Sequence, residues 1–222
     1  MTGVQTCALP ICKNISLYLV SRSKHKLLKL KKLIIKQYNN SEVIIIPFNM
    51  EKKFSDKLLN FCKKKLGLPN ILINNSGGPE PTNFINTNDK MWEKTINRNL
   101  ISVIKLSTIF SKSMIKNRWG RIINIGSSSS YQGFLNGSIY VASKFAILGI
   151  SRTLHDELKE YGVRTCCISP SSIKTEMSKL SKDQDYSTFL DPKEVAEFVI
   201  FQTMFDDEMV VEESRLNRMF IR

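Results

Sequence analysis

Three side chains between residues 124 and 150 have the types and the spacing needed to give a proton to a carbonyl oxygen. Tyr140 and Lys144 stand one turn apart in a predicted helix and lie on one face, and Ser127 precedes them in a run of serines. A tyrosine has an ordinary pKa of about 10, which a neighbouring cation lowers. We therefore predict that Lys144 lowers the pKa of Tyr140, that Tyr140 gives the proton, and that Ser127 orients the carbonyl.

Short apolar strands alternate with amphipathic helices along most of the chain. Strands are predicted at 15–20, 43–47, 71–73, 121–125, 163–169 and 208–213. Helices are predicted at 24–39, 51–66, 89–116 and 138–161, and from the Asp191-Pro192 pair onward. This alternation is typical of a parallel sheet covered on both faces. The sequence therefore predicts an α/β fold, a three-layer doubly wound parallel sheet of the Rossmann type, in one domain that spans 15–222.

Four loops that follow predicted strands carry most of the polar and glycine residues of interest. In open α/β sheets, ligands bind beyond the carboxyl ends of the strands. Because parallel strands end at one edge, we expect these loops to form a single site: 21–22, 74–78, 126–130 and 170–175.

The net charge of +13 is high enough to suggest a nucleic-acid or membrane-surface ligand. The lysines are spread over many segments, however, and this favours a solvated surface over a nucleic-acid footprint. Five cysteines without metal-ligand spacing indicate a reducing compartment. No apolar run approaches the roughly 20 residues that a membrane span requires. We expect a cytoplasmic protein that binds no metal, nucleic acid or membrane.

Taken together, these features resemble the short-chain dehydrogenase/reductase family, from about residue 15 to near the C-terminus. Tyr140 and Lys144 match its Tyr-x-x-x-Lys pair, Ser127 its upstream serine, and Asn99 its helix asparagine. The resemblance implies that these four residues are catalytic, with Lys144 also holding the nicotinamide ribose and Asn99 supporting a water chain to Lys144. It implies a carbonyl or secondary alcohol substrate, with 3-oxoacyl thioesters favoured. It also implies homodimers or homotetramers formed through helices 89–116 and 138–161.

Two loops extend the resemblance to the cofactor. Residues 74–77, Asn-Asn-Ser-Gly, are similar to the family's Asn-Asn-Ala-Gly loop. Residues 170–175 are similar to its Pro-Gly-x-x-x-Thr segment, with Ser171 in place of the glycine. The cofactor-binding residues that the resemblance implies are Ser21, Arg22, Asn49, Asn75, Gly77, Tyr140, Lys144, Pro170, Ile173 and Thr175.

The residues at the end of the first predicted strand favour NADP over NAD. An acidic residue there would accept hydrogen bonds from a ribose 2′-hydroxyl and repel a 2′-phosphate. This chain has Ser21 at that position and then Arg22, whose guanidinium suits a phosphate.

One part of the family pattern is missing from the sequence. The family holds the cofactor diphosphate with a glycine-rich turn after its first strand, which lies between its second and fourth strands. This sequence has Thr2-Gly3 but no further glycine behind it, and the strand at 15–20 matches the family's second strand. We interpret residues 1–14 as a segment that is unrelated to the reductase domain. We interpret the domain that follows as truncated at its N-terminus by about 30 residues. An antiparallel strand from 4–11 stays possible. The alternative function is a non-catalytic fragment or packing subunit.

Overall fold

The computed structural model describes residues 15–38, 42–49, 56–176, 178–180 and 184–220. The strands of this part are β1 Ser16–Ser21, β2 Glu42–Pro47, β3 Ile71–Asn74, β4 Gly120–Ile125, β5 Val163–Pro170 and β6 Glu213–Leu216. Its α-helices are α1 Lys24–Gln37, α2 Asp56–Lys64, α3 Asp89–Ile96, α4 Ser102–Lys116, α5 Ser138–Leu158 and α6 Pro192–Phe201. The prediction that residues 1–14 are unrelated to the domain lies outside the described residues.

The strands pair in parallel throughout, β1 with β2, and β3, β4, β5 and β6 in that order. Helices α1 and α5 pack on β2 and β5, and nearly every residue of β4 and β5 is buried. Buried apolar strands joined by helical crossovers are the arrangement predicted from the sequence, so the α/β fold is confirmed. Among the described helices, none combines the length and apolar composition needed to cross a membrane.

The described strands form two sheets rather than one. Strands β1 and β3 each have one hydrogen-bonded neighbour, and no described strand pairs with their remaining edges. Both sheets share a core, because Tyr18 of β1 and Leu72 of β3 pack against one cluster that includes Phe110, Met114 and Ile122. The break between the sheets coincides with the place where the resemblance puts the family's first strand.

Two predicted elements differ from the structure. The last strand is Glu213–Leu216, and the prediction of a strand at 208–213 is wrong. Arg164 Nη1 of β5 donates to the carbonyl oxygens of Phe205 and Met209 at 2.6 and 3.0 Å, which holds this segment as a loop. The single helix predicted at 89–116 is interrupted by a π-helical turn, Asn97–Ile101. A π-turn inserts an extra residue and so changes which side chains face inward.

Candidate active site

The carboxyl ends of β3, β4 and β5 lie side by side, with Asn74 opposite Asn124 and Ile125 opposite Ile168. Asn74 Nδ2 donates to Asn124 Oδ1 at 2.8 Å, and Asn124 Nδ2 donates to Ser151 Oγ of α5 at 2.9 Å. These side chains are buried, and buried hydrogen-bonded networks are costly to break. They therefore fix α5 against the sheet and place its first turns beside the end of β4.

The loop after β4 forms a short 3₁₀ turn, Ser128–Ser130, that holds Ser127 in place. Ser127 Oγ accepts the N–H of Ser129 at 3.1 Å, and Ser130 Oγ accepts the N–H of Ser127 at 3.2 Å. The Ser127 side chain also forms a hydrogen bond with the Tyr140 phenol. The structure thus brings together Ser127 and Tyr140, which come from separate elements.

Lys144 lies in the second turn of α5 and has 6% of its surface exposed. Its Nζ donates to the carbonyl oxygen of Ile125 at 2.6 Å and lies 5.7 Å from the centre of the Tyr140 ring. Burial penalises the ammonium and lowers the pKa of Lys144 to about 8, although Cys167 acts in the opposite direction. An ammonium has three donors, so the bond to Ile125 leaves capacity for a ligand.

The pKa of Tyr140 is raised above its ordinary value by burial, which the hydrogen bond with Ser127 and the charge of Arg98 offset only in part. The structure differs here from the prediction that Lys144 lowers this pKa. The ammonium of Lys144 is directed at the Ile125 carbonyl, and the cation that acts on the phenol is Arg98. At neutral pH, Tyr140 therefore holds its proton and can donate it.

Asn99 lies in the π-turn, with 1% of its surface exposed. Its Oδ1 accepts the N–H of Gly78 at 2.9 Å, and its Nδ2 donates to the carbonyl oxygen of Thr95 at 3.0 Å. The first bond joins Asn99 to the loop after β3, and the second joins it to the last turn of α3. The structure therefore gives Asn99 the task of holding that loop.

Replacing Gly77 by alanine is expected to destabilise the protein by about 2 kcal/mol or more. Gly77 has φ +141°, which L-residues rarely adopt, and a Cβ there would collide with Asn99 Oδ1. Urea unfolding measures the change. Gly133→Ala is the matched control, because a Cβ at Gly133 meets nothing within 4 Å. Equal stabilities of the two variants would contradict the close approach of the loop to Asn99.

Pro170, Ile173 and Thr175 lie at the end of β5 and in the loop that follows it. Ser178 organises this loop, since its Oγ donates to the carbonyl oxygen of Ile173 at 2.6 Å and accepts the N–H of Thr175 at 2.9 Å. Ile173 also forms an isolated parallel bridge with Leu190. The predicted residues of this loop are thus held at the same sheet edge as Ser127.

The residues predicted to hold the adenosine end of a cofactor are more dispersed. Ser21 ends β1, Arg22 follows it with an exposed side chain, and Asn49 lies just beyond β2. The Ser21 carbonyl accepts the N–H of Phe48 at 2.9 Å, which ties the two strand ends together. Asn75 follows β3 in the other sheet and is exposed. All four lie at strand ends, but on two separate sheets.

Sequence reasoning missed an ion pair beside Tyr140. Arg98 Nη1 lies 2.7 Å from Glu80 Oε1, and Arg98 Nη2 donates to the carbonyl oxygen of Gly78 at 2.8 Å. Partial burial raises the pKa of Glu80, but hydrogen bonds from Arg98 and Lys94 outweigh this and leave it below its ordinary value. A charge inside a helix pattern usually faces solvent, so only the π-turn explains why Arg98 faces inward.

The sequence reasoning also missed an apolar cleft of about 340 Å³ beside the first turn of α5, lined by Phe84, Phe134, Leu135 and Val141 among others. The Phe134 ring stands edge-on to the Tyr140 ring, with 6.2 Å between centroids. Phe134 and Leu135 are 45% and 85% exposed. Their apolar side chains in a glycine- and asparagine-rich loop were the available signal.

Comparison with known families matches residues 2–185 to the family described as short chain dehydrogenase. The 3-oxoacyl-[acyl-carrier-protein] reductase of Buchnera aphidicola subsp. Schizaphis graminum (strain Sg) is 37% identical over 124 residues, covering 56% of this chain and 50% of the relative. That of Buchnera aphidicola subsp. Acyrthosiphon pisum (strain APS) is 35% identical over 156 residues, covering 66% and 64%. The chain thus matches between half and two thirds of these relatives' length.

Solved structures show the same fold. A 3-oxoacyl-[acyl-carrier protein] reductase from Brucella melitensis with bound NAD has a TM-score of 0.79 at 17% identity, covering 91% of this chain and 79% of that one. An alcohol dehydrogenase from Thermococcus sibiricus, complexed with 5-hydroxy-NADP, has a TM-score of 0.82 at 22% identity, covering 93% and 87%.

Proposed function

The chain belongs to the short chain dehydrogenase family, and from this premise we propose that it is a nicotinamide-dependent oxidoreductase that interconverts a carbonyl and a secondary alcohol. The observation that carries the proposal is the convergence of Ser127, Tyr140 and Lys144 at the carboxyl edge of the sheet. A phenol, a hydroxyl and an ammonium at one point form a proton-donating site for a substrate oxygen.

Each residue of this site has a different role in the proposed reaction. Tyr140 holds a proton at neutral pH because burial raises its pKa, so it donates as negative charge grows on the substrate oxygen. The Ser127 hydroxyl, hydrogen-bonded to the same phenol, orients that oxygen. Lys144 is charged below its pKa of about 8, and its ammonium donates to the Ile125 carbonyl with donors left for the ribose of a cofactor.

The nicotinamide end of the site fits a nicotinamide nucleotide. The Lys144 ammonium and the Tyr140 phenol are the donors that would hold its ribose, and Ile173 and Thr175 lie in the hydrogen-bonded loop after β5. When bound, the cofactor supplies the hydride that no side chain here can give. The fit is weaker at the diphosphate, since the sequence has no glycine-rich turn. The named neighbours that bind NAD or an NADP analogue support a nicotinamide cofactor.

We propose that NADP is preferred because Arg22 follows β1 where an acidic residue would select NAD. Replacing Arg22 by alanine is expected to raise the Kd for NADPH about tenfold and to leave the Kd for NADH unchanged. Quenching of protein fluorescence measures both. Lys24→Ala, an exposed change at the start of α1, is the control. An equal effect of Arg22→Ala on both cofactors would contradict the preference.

The substrate class that the site supports best is a 3-oxoacyl thioester. The two relatives from Buchnera are 3-oxoacyl-[acyl-carrier-protein] reductases, and the similarity of this chain to them supports this substrate class. The cleft beside Tyr140 supports it independently, because exposed Phe134 and Leu135 offer apolar surface to an acyl chain next to the proton donor. We further propose that the protein is cytoplasmic and assembles as a homodimer or homotetramer through α3, α4 and α5.

Reduction of a 3-oxoacyl thioester tests the proposed function. We expect NADPH oxidation that depends on the thioester and is faster than with NADH. The second candidate, a non-catalytic chain, is favoured by one observation, that no described strand pairs with the remaining edges of β1 and β3. Titration with NADPH separates the two, because saturable micromolar binding that Lys144→Ala abolishes supports the enzyme. No saturable binding would contradict it.

A further inference from the structure

We propose that Arg98, held between Glu80 and the Gly78 carbonyl, is a positioning residue for the proton donor Tyr140. The inference deepens the proposed function and rests on the role assigned there to Tyr140. It assigns a task to an ion pair that the family resemblance does not include.

The geometry of the π-turn supports this role of Arg98. Arg98 and Asn99 are consecutive, yet both are buried, with 5% and 1% of their surfaces exposed. They bind opposite sides of one residue, since Asn99 Oδ1 accepts the N–H of Gly78 at 2.9 Å and Arg98 Nη2 donates to its carbonyl at 2.8 Å. The π-turn also packs against α5, which carries Tyr140. Arg98 therefore links the loop after β3 to the helix of the proton donor.

The charge of Arg98 supports the same role. The Arg98 side chain is 7% exposed and its Nε has no hydrogen-bond partner, whereas Glu80 is 34% exposed. One partly solvated carboxylate therefore balances a deeply buried guanidinium, and a buried charge acts strongly on its surroundings. Lys144 is the other cation near Tyr140, with its Nζ 5.7 Å from the centre of the ring.

The charged and polar groups near the Tyr140 phenol determine in which direction each substitution should shift its pKa. The charge of Arg98 and the hydrogen bond with Ser127 both lower the pKa of Tyr140 against the effect of burial. Glu80 opposes Arg98, because its carboxylate neutralises part of that charge. Lys94, half exposed, contacts Glu80 from the solvent side at 3.1 Å. Removing Arg98 should therefore raise the pKa of Tyr140, and neutralising Glu80 should lower it.

The test compares Arg98→Met with Glu80→Gln. The ionisation of Tyr140 is followed by ¹³C NMR of its hydroxyl-bearing ring carbon, assigned among the six tyrosines by a Tyr140→Phe spectrum. We expect a shift of the pKa to higher pH in Arg98→Met and to lower pH in Glu80→Gln. At pH 7, kcat should fall about tenfold in Arg98→Met, with little change in KM, and should not fall in Glu80→Gln.

Opposite shifts distinguish electrostatic positioning from support of the loop, because loss of loop support alone would move both variants in one direction. Arg152→Met is the matched control. Arg152 lies elsewhere on α5 and forms an exposed ion pair with Glu213 of β6, so this change should leave the pKa of Tyr140 unchanged. Shifts of the same sign, or none, would overturn the inference. If Arg98→Met does not fold, Glu80→Gln decides alone, with a lower pKa in support and any other result against. Absence of reductase activity in the wild type would contradict the proposed function, and the NMR titration would still decide the role of Arg98.

Discussion

Replacing Tyr140 by phenylalanine is expected to reduce kcat/KM for carbonyl reduction by about 1000-fold. The change removes one oxygen atom, which is the proton donor in the proposed mechanism. The ring remains, so its edge-on contact with Phe134 is kept and the helix start should be undisturbed. The hydrogen bond that the phenol shares with Ser127 is lost, which leaves the Ser127 hydroxyl to the substrate alone. Steady-state kinetics with NADPH and a 3-oxoacyl thioester measure the loss.

Tyr161→Phe is the matched control for this change. Tyr161 is 41% exposed and lies beyond the far end of α5, so the same loss of a hydroxyl should leave kcat/KM unchanged. Cofactor affinity separates binding from chemistry, and Tyr140→Phe should retain NADPH binding within a few-fold. A Tyr140→Phe enzyme with at least one tenth of the wild-type kcat/KM would contradict the role of Tyr140 as proton donor.

The parts of the fold that could be predicted follow from local pattern. Apolar strands such as β4 and β5 are buried on both faces, so their composition alone identified them. The prediction of a strand at 208–213 is wrong because of contacts with residues distant in the sequence. The apolar residues of this segment resemble a strand, but arginines of β4 and β5 bind the carbonyl oxygens of 205–209 from across the molecule. No periodicity reports such a contact.

The candidate site could likewise be predicted only where it depends on local pattern. The one-turn spacing of Tyr140 and Lys144 correctly put them on one helix, α5. The direction of the Lys144 ammonium could not be predicted, because it depends on the Ile125 carbonyl at the end of another element. The burial of Arg98 depends on a π-turn, and helical periodicity assumes that such an insertion is absent. Composition and spacing therefore identified which side chains form the site. The electrostatic environment of those side chains could not be predicted, because it depends on the path of the backbone.

Replacing Lys144 by methionine is expected to make the protein more stable and to lower its activity at least about 100-fold. The pKa of Lys144 falls from 10.5 to about 8 on burial, which at about 1.4 kcal/mol per pKa unit is a cost of about 3 kcal/mol. Below pH 8 both the folded and the unfolded chain carry the proton, so the full cost is present. As pH rises from about 8 to 10.5 the folded state loses its proton first, and the cost disappears.

Methionine fills the same space without a charge, but the hydrogen bond from Nζ to the Ile125 carbonyl is lost, at about 1 kcal/mol. Lys144→Met should therefore unfold in urea with about 2 kcal/mol more stability than the wild type at pH 7, and with no advantage near pH 10.5. Lys105→Met, an exposed change on α4, should alter stability by less than about 0.5 kcal/mol at both pH values. A lysine that destabilises the fold while charged is a candidate functional residue, since packing alone would favour methionine. Lower stability of Lys144→Met at pH 7, or a gain that does not change with pH, would contradict the buried ammonium and with it this account of the site.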